Sequence, residues 1–196
     1  MATATELARA GGPDAVVLRE AARRVSVSPT AAYRHFQDRE ALLLAVRQAA
    51  LRVLAQSMRD QDTGTSRCSE TPADAALLHF RALGQGYVSF ALAEPGLFRT
   101  ISVLPTRRQP PLPAPEDDPL ALLARALDRL VDVGVLDRSQ RAHADAVAWS
   151  AVHGLSMLLL DGLLPDDIAG QFPPADADAL VARLLDVVAF GLLPRP

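Results

Sequence analysis

The sequence predicts an all-α fold, and three observations carry that prediction. Apolar residues recur at helical spacing along most of the 196-residue chain, and no convincing run of strand-like alternation interrupts them. Ala, Leu, Arg and Glu recur while aromatic residues make up only 5%, a balance that favours helix over sheet. Glycine and proline fall between periodic segments, where they close one helix and open the next.

A short first helix is expected over Thr3 to Ala10, stopped by Gly11-Gly12-Pro13, and a second over about Val17 to Arg24. Val25-Ser26-Val27 reads as a turn. Ser28 is placed to cap a third helix, with Pro29 at its first position, where a missing N–H costs nothing; that helix runs to about His35. Asp38 is the expected cap of the fourth, which continues to about Arg59. A polar linker from about Gln61 to Pro72 follows, and helix resumes near Ala73. Pro95 opens a short helix. The proline-dense segment Leu104–Pro119 reads as a mobile loop. Helix returns at Leu120 and stops at Gly134. A long, largely buried helix is expected within 138–164, and a last one within 176–193.

Composition narrows the function classes. Net charge is −3, so the molecule as a whole is not a polyanion binder, yet residues 1–60 hold nine arginines against six carboxylates, a net +3 that leaves −6 for the remainder. A window of that length reaches +3 in many neutral proteins, so charge by itself leaves the question open. All 20 basic residues are arginine. Cys68 is the only cysteine, which excludes an intrachain disulfide and a thiolate cluster. The N-terminal stretch lacks a secretory pattern, and the apolar stretches are too short or interrupted to cross a bilayer; a cytoplasmic protein with no membrane partner is expected. No histidine pair stands at metal-ligand spacing with a carboxylate, and there is no Gly-rich phosphate loop and no G-x-S-x-G. No metal, no cofactor and no catalytic residue are therefore expected.

The segment Ser26–Leu42, "SVSPTAAYRHFQDREAL", concentrates Tyr33, Arg34, His35, Phe36 and Arg39 in a chain otherwise poor in aromatics. Two short helices joined by a tight turn make it a helix-turn-helix candidate, a unit whose second helix enters the DNA major groove. Ser28 and Thr30 carry hydroxyls for phosphates or base edges, Ala31 is small enough to meet a thymine methyl, and Arg34 lies on the same surface. Tyr33 and His35 suit phosphate contacts, and Arg39 adds charge at the start of the next helix. Leu18, Ala21, Ala22, Val25, Ala32, Phe36, Leu42 and Leu43 are the expected core of the unit. An ordinary helical hairpin with an exposed tyrosine is the competing reading.

The stretch "LREAARRVSVSPTAAYRHFQDREALLLAV", Leu18–Val46, resembles the DNA-binding helices of the TetR family of transcriptional regulators: an apolar-Arg-acid-apolar-Ala second helix, "VS" at the turn, then "YRHF", an acid and "LL". The resemblance implies a homodimer with a three-helix helix-turn-helix reader, residues 1–46, and a C-terminal helical effector and dimerisation domain, residues 47–196. It carries recognition-helix or backbone-contact roles onto Ser28, Thr30, Ala31, Tyr33 and His35, and an exposed-arginine role onto Arg19. Two features depart from the pattern. Val17 stands where a capping hydroxyl is usual, and the first helix is shorter. A weaker similarity in "YVSFALAEPGLFRTI" and "AWSAVHGLSMLLLDG" points to a subgroup with a Trp…His-Gly pattern, here Trp149, His153 and Gly154.

Polar side chains interrupt otherwise apolar faces at His79, Gln85, Tyr87, Trp149, His153 and Ser156, which with Leu83, Phe90, Phe98 and Met157 form the expected small-molecule site. His79 and His153 are ordinary satisfied core histidines, and Trp149 plain core, in the competing reading. Gly84 and Gly86 are expected to loosen a helix or permit close packing. Leu180, Val181, Leu184, Leu185, Val187, Val188 and Leu192 exceed a single apolar stripe, which suggests a second subunit across the last two long helices; a thick monomer core is the alternative. Together these expectations describe a ligand-responsive regulator, a repressor released from a palindromic double-stranded DNA operator by a small-molecule effector. The alternative is a helical small-molecule-binding protein or adaptor with weakened or lost DNA binding.

Overall fold

A computed structural model of the chain describes residues 1–62, 71–103, 118–164 and 177–191. Among them are nine α-helices and one 3₁₀ turn: α1 (Ala2–Gly11), the turn Pro13–Ala15, α2 (Leu18–Arg24), α3 (Pro29–His35), α4 (Arg39–Asp62), α5 (Pro72–Ala93), α6 (Pro95–Ser102), α7 (Pro119–Asp132), α8 (Ala144–Asp161) and α9 (Ala177–Gly191). Most of the expected polar linker, Cys68 included, and nearly all of the proline-dense segment lie outside the described residues.

The helix boundaries have local chemical causes. Ser28 Oγ accepts the Ala31 N–H at 3.2 Å and Asp38 Oδ1 accepts the Ala41 N–H at 2.8 Å, so α3 and α4 both start on a side-chain cap. Thr71 caps α5 through the Asp74 N–H, and Asp118 caps α7 through the Leu120 N–H. Prolines occupy the first turn of α3, α5, α6 and α7, where no N–H is needed. Val17 caps α2 only by its extended backbone and makes no side-chain bond. The 138–164 helix starts later than its apolar pattern suggests. Asp137 accepts the Ser139 N–H at 2.7 Å, a local turn that competes with helix, and His143 sits at φ 73° just before Ala144. It is also less buried than expected, since Val147 and Leu158 are 53% and 40% exposed.

Helix α5 is the centre of the body, packed by α4, α6, α7, α8 and α9. Helix α4 connects that body to the N-terminal helices. Its 24 residues span about 36 Å. The buried residues Leu42, Val46, Ala50, Leu54 and Met58 follow a strict four-residue spacing. Such a stripe winds about 40° around the helix per step, or about 160° from Leu42 to Met58. One end of α4 therefore faces the N-terminal helices and the other faces the body. The expected division after Val46 falls inside this unbroken helix. Arg47 reinforces the joint by donating from Nε to the Ile101 carbonyl at the end of α6, 2.8 Å away.

Candidate functional site

The N-terminal unit is built on the turn between α2 and α3. The Val27 N–H reaches the Ala22 carbonyl at 3.0 Å and the Ser26 N–H reaches the Arg23 carbonyl at 3.2 Å, while Ser26 takes φ 55°. This is a Schellman ending with serine where glycine is usual. Leu18, Ala22 and Leu42 are buried beneath it, with Ala21, Ala32, Phe36 and Leu43 packed alongside. Val25, expected in this core, is instead 51% exposed because it occupies the C-cap itself.

Thr30, Tyr33, Arg34 and His35 of α3 are exposed, Tyr33 by 47%, and Ala31 is half-buried. Ser28 is exposed, but its hydroxyl is engaged as the helix cap. The arginines of this region divide sharply. Arg23 and Arg24 both pair with Glu20, at 2.8 and 2.9 Å, and hold its carboxyl at about 2, well below the usual range. Arg9 pairs with Glu94 at 2.7 Å. Arg39 donates to the carbonyls of Val16 and Pro13, at 2.9 and 2.6 Å, and so ties the start of α4 to the 3₁₀ turn. Arg19 and Arg34 are exposed and make no ion pair among the described residues. On α2 and α3, Arg19 and Arg34 thus stand outside any such ion pair, while Arg23, Arg24 and Glu20 share one net positive charge.

In the body, an apolar cavity of about 30 Å³ lies between five helices. Phe80, Leu83 and Tyr87 of α5 line one side, and Ala148, Trp149 and Val152 of α8 another. Met58 of α4, Leu123 of α7, and Leu185 and Val188 of α9 close it. Behind Tyr87 its hydroxyl lies 2.9 Å from His153 Nδ1. Burial lowers the His153 pKa and raises that of Tyr87, so both are neutral near pH 7, and the tautomer of the imidazole sets which of the two donates. Phe98 meets Tyr87 edge-on at 5.8 Å and tilts against His153 at 5.2 Å; Trp149 meets Tyr87 at 5.9 Å.

Of the residues expected in a ligand site, Leu83, Tyr87 and Trp149 come together in the lining, and Phe98 and His153 stand behind them. His79 is half-buried on α5 outside the lining, and Phe90 is buried in the core. Ser156 is buried with its hydroxyl on the Val152 carbonyl, 2.7 Å away. Met157 lines an open groove beside Arg9, Pro13 and Arg99, and Gln85 lies in another surface pocket beside Arg81 and Asp186. Sequence reasoning missed Met58, Phe80, Ala148, Val152 and the α9 residues. The spacing i, i+3, i+4, i+7 through Phe80, Leu83, Gly84 and Tyr87 was the available signal.

The two glycines of "GQG" serve close packing, one on each side of α5. A Cβ at residue 86 would fall 2.5 Å from both Met58 Cα and the Ser57 carbonyl, and a Cβ at residue 84 would collide with the Leu185 methyls. No helix among the described residues is long and apolar enough to cross a membrane.

The fold resembles those of several solved structures. A protein of unknown function from Rhodococcus sp. RHA1 is 24% identical, with a TM-score of 0.71 over 98% of this chain and 92% of that one. A TetR protein variant from Acinetobacter baumannii AYE, solved with minocycline, is 21% identical with a TM-score of 0.60, covering 97% of this chain and 92% of that one. A TetR family transcriptional regulator from Thermus thermophilus is 18% identical with a TM-score of 0.56, covering 98% and 97%. No curated protein sequence is similar enough to count as a relative. Residues 1–46 match the family described as "Bacterial regulatory proteins, tetR family", and residues 80–188, more than half of the chain, match "Tetracyclin repressor-like, C-terminal domain". With its N-terminal unit and most of its body both matched, the chain belongs to the TetR family of DNA-binding transcriptional regulators.

Proposed function

We propose that the protein is a homodimeric repressor that reads a palindromic operator through α3 and leaves it when a small molecule occupies the α5–α8 cavity. One observation carries this reading: the buried stripe of α4 begins in the N-terminal core at Leu42 and ends in the cavity lining at Met58. A ligand that displaces Met58 therefore acts on the same rigid helix that positions the reader. In the dimer, the two α3 helices stand about one DNA turn apart, roughly 34–36 Å, and a ligand that favours another spacing lowers DNA affinity.

Thr30, Ala31, Tyr33, Arg34 and His35 face the DNA in this reading, with Arg19 on the flanking phosphates. Ser28 and Arg39 contribute mainly by holding α3 and α4 in place. The two protomers join through α8 and α9, whose Val147, Leu158 and Val187 are 53%, 40% and 56% exposed in the single chain. Apolar exposure of this kind on adjacent helices suits an isologous interface.

The test is selection of duplex DNA from a random pool with the purified protein, beside a measurement of its mass in solution. A palindromic site with half-sites one turn apart, bound by a dimer, is the expected result. A folded protein that enriches no sequence would sink the regulator reading and favour a ligand-binding protein without a DNA role.

A further inference from the structure

The chemistry of the cavity wall restricts what it accepts. Among the described residues, Tyr87 is the only lining residue with an ionisable side chain, and its hydroxyl is already satisfied by His153. Around it the wall is aliphatic and aromatic, from Phe80 and Leu83 across to Trp149 and Val152. Neither Arg81 nor Arg99 lines the cavity: Arg81 pairs with Asp186 at 2.8 Å, its buried Nε lacking a hydrogen-bond partner, and Arg99 pairs with Asp161 at 2.6 Å. A carboxylate or ammonium placed in such a wall loses its hydration and gains no partner, which costs far more than burying a neutral group.

Size matters as well. At about 30 Å³ the space holds about two water-sized volumes. An occupant of ring size must therefore move part of the wall. Two components can yield without breaking a polar contact. Met58 is unbranched and adapts by rotamer change, and Leu185 turns its methyl groups toward Gly84. Backbone is less able to give way, because Gly86 already touches α4. The rings of Phe80, Tyr87 and Trp149 in the lining offer a flat molecule favourable contacts without any hydrogen bond.

We infer that the effector class of this site is an uncharged, apolar, ring-sized molecule, recognised by shape and dispersion rather than by an ion pair. The inference rests on the reading of the cavity as the effector site. The Tyr87–His153 pair then acts as a closed polar unit that stiffens the wall and offers no anchor for a charged group.

Trp149 is the only tryptophan and lines the cavity, so its emission reports occupancy directly. The experiment titrates the full chain with toluene, benzoate and benzylammonium, three probes of one ring that differ in charge. It reads Trp149 emission and melting temperature, and then release of the operator duplex recovered by selection. Saturable binding of toluene with a raised melting temperature, and at least tenfold weaker binding of both ions, is the expected result. Ala148→Leu fills the space and is expected to weaken toluene at least tenfold; should that variant fail to fold, Leu123→Phe does the same from the opposite wall. Benzoate or benzylammonium binding as tightly as toluene overturns the ligand class and leaves the regulator reading standing. Failure of all three to bind overturns the cavity as a ring-sized site. Toluene binding that leaves the operator complex intact upholds the ligand class and refutes the coupling to DNA.

Discussion

Ser57 Oγ donates to the Gly86 carbonyl at 2.9 Å, at the point where α4 and α5 approach so closely that no side-chain atom fits on residue 86. Met58, the next residue of α4, lines the cavity, and so does Tyr87, the next residue of α5. The crossing of the two helices and the cavity wall are therefore one structure, and it gives the first prediction. Gly86→Ala is expected to destabilise the protein by about 1–3 kcal/mol, because its methyl meets backbone that must shift. Gly84→Ala meets only the flexible end of Leu185 and is expected to be milder. Urea unfolding of both variants checks the order, and equal effects would mean that α4 yields as easily as a side chain.

Ser26 is exposed and holds φ 55°, a left-handed conformation that strains any residue with a Cβ. Ser26→Gly is expected to raise stability by about 1 kcal/mol without altering the turn. A loss of stability in thermal unfolding would show that the serine hydroxyl contributes more than the strain removes.

Arg19 and Arg34 are the exposed arginines of α2 and α3 without an ion pair among the described residues, whereas Arg23 and Arg24 share Glu20. Arg34→Ala with Tyr33→Ala is expected to abolish operator binding while leaving helix content unchanged. Arg19→Ala alone is expected to lower the slope of log affinity against log salt by about 1 per protomer. Arg23→Ala is expected to change that slope much less. Binding measured across a salt series separates the three, and an Arg23 effect as large as that of Arg19 would reverse the assignment.

His153 has its pKa lowered by burial from an ordinary value of 6.5. Between the folded and unfolded values the unfolded state binds more protons, so stability is full above 6.5 and declines as pH falls through the folded value. Tyr87 has its pKa raised from 10.0, so stability declines again as pH rises above 10. Unfolding curves across pH are expected to show both limbs, and His153→Gln is expected to flatten the acid one. An unchanged acid limb in that variant would assign it to carboxylates such as Glu20, which Arg23 and Arg24 hold low.

The helix ends were legible because their causes are local. Ser28, Asp38, Pro29 and Pro95 act within one turn of where they stand in the chain, and the structure uses each as the pattern suggests. The site was half legible. The expected face of α5, with His79 and Phe90, and the lining face, with Phe80 and Gly84, share Leu83 and Tyr87 and are offset by roughly half of one residue's rotation of about 100°. The polar and aromatic residues drew the eye, while the cavity is lined mostly by the aliphatic positions between them.

By itself the sequence determined the all-α class, the helix-turn-helix and the family, because periodicity, caps and the Leu18–Val46 pattern all act over short range. Only the tertiary structure decided that Arg9 and Arg39 are engaged. Glu94 lies 85 residues from Arg9, and the Pro13 carbonyl lies 26 residues from Arg39. It also decided that Gly86 meets Met58 and that five helices share one small apolar space. Those contacts depend on how whole helices cross, and crossing angles are set by the summed packing of many side chains rather than by any single stretch of chain.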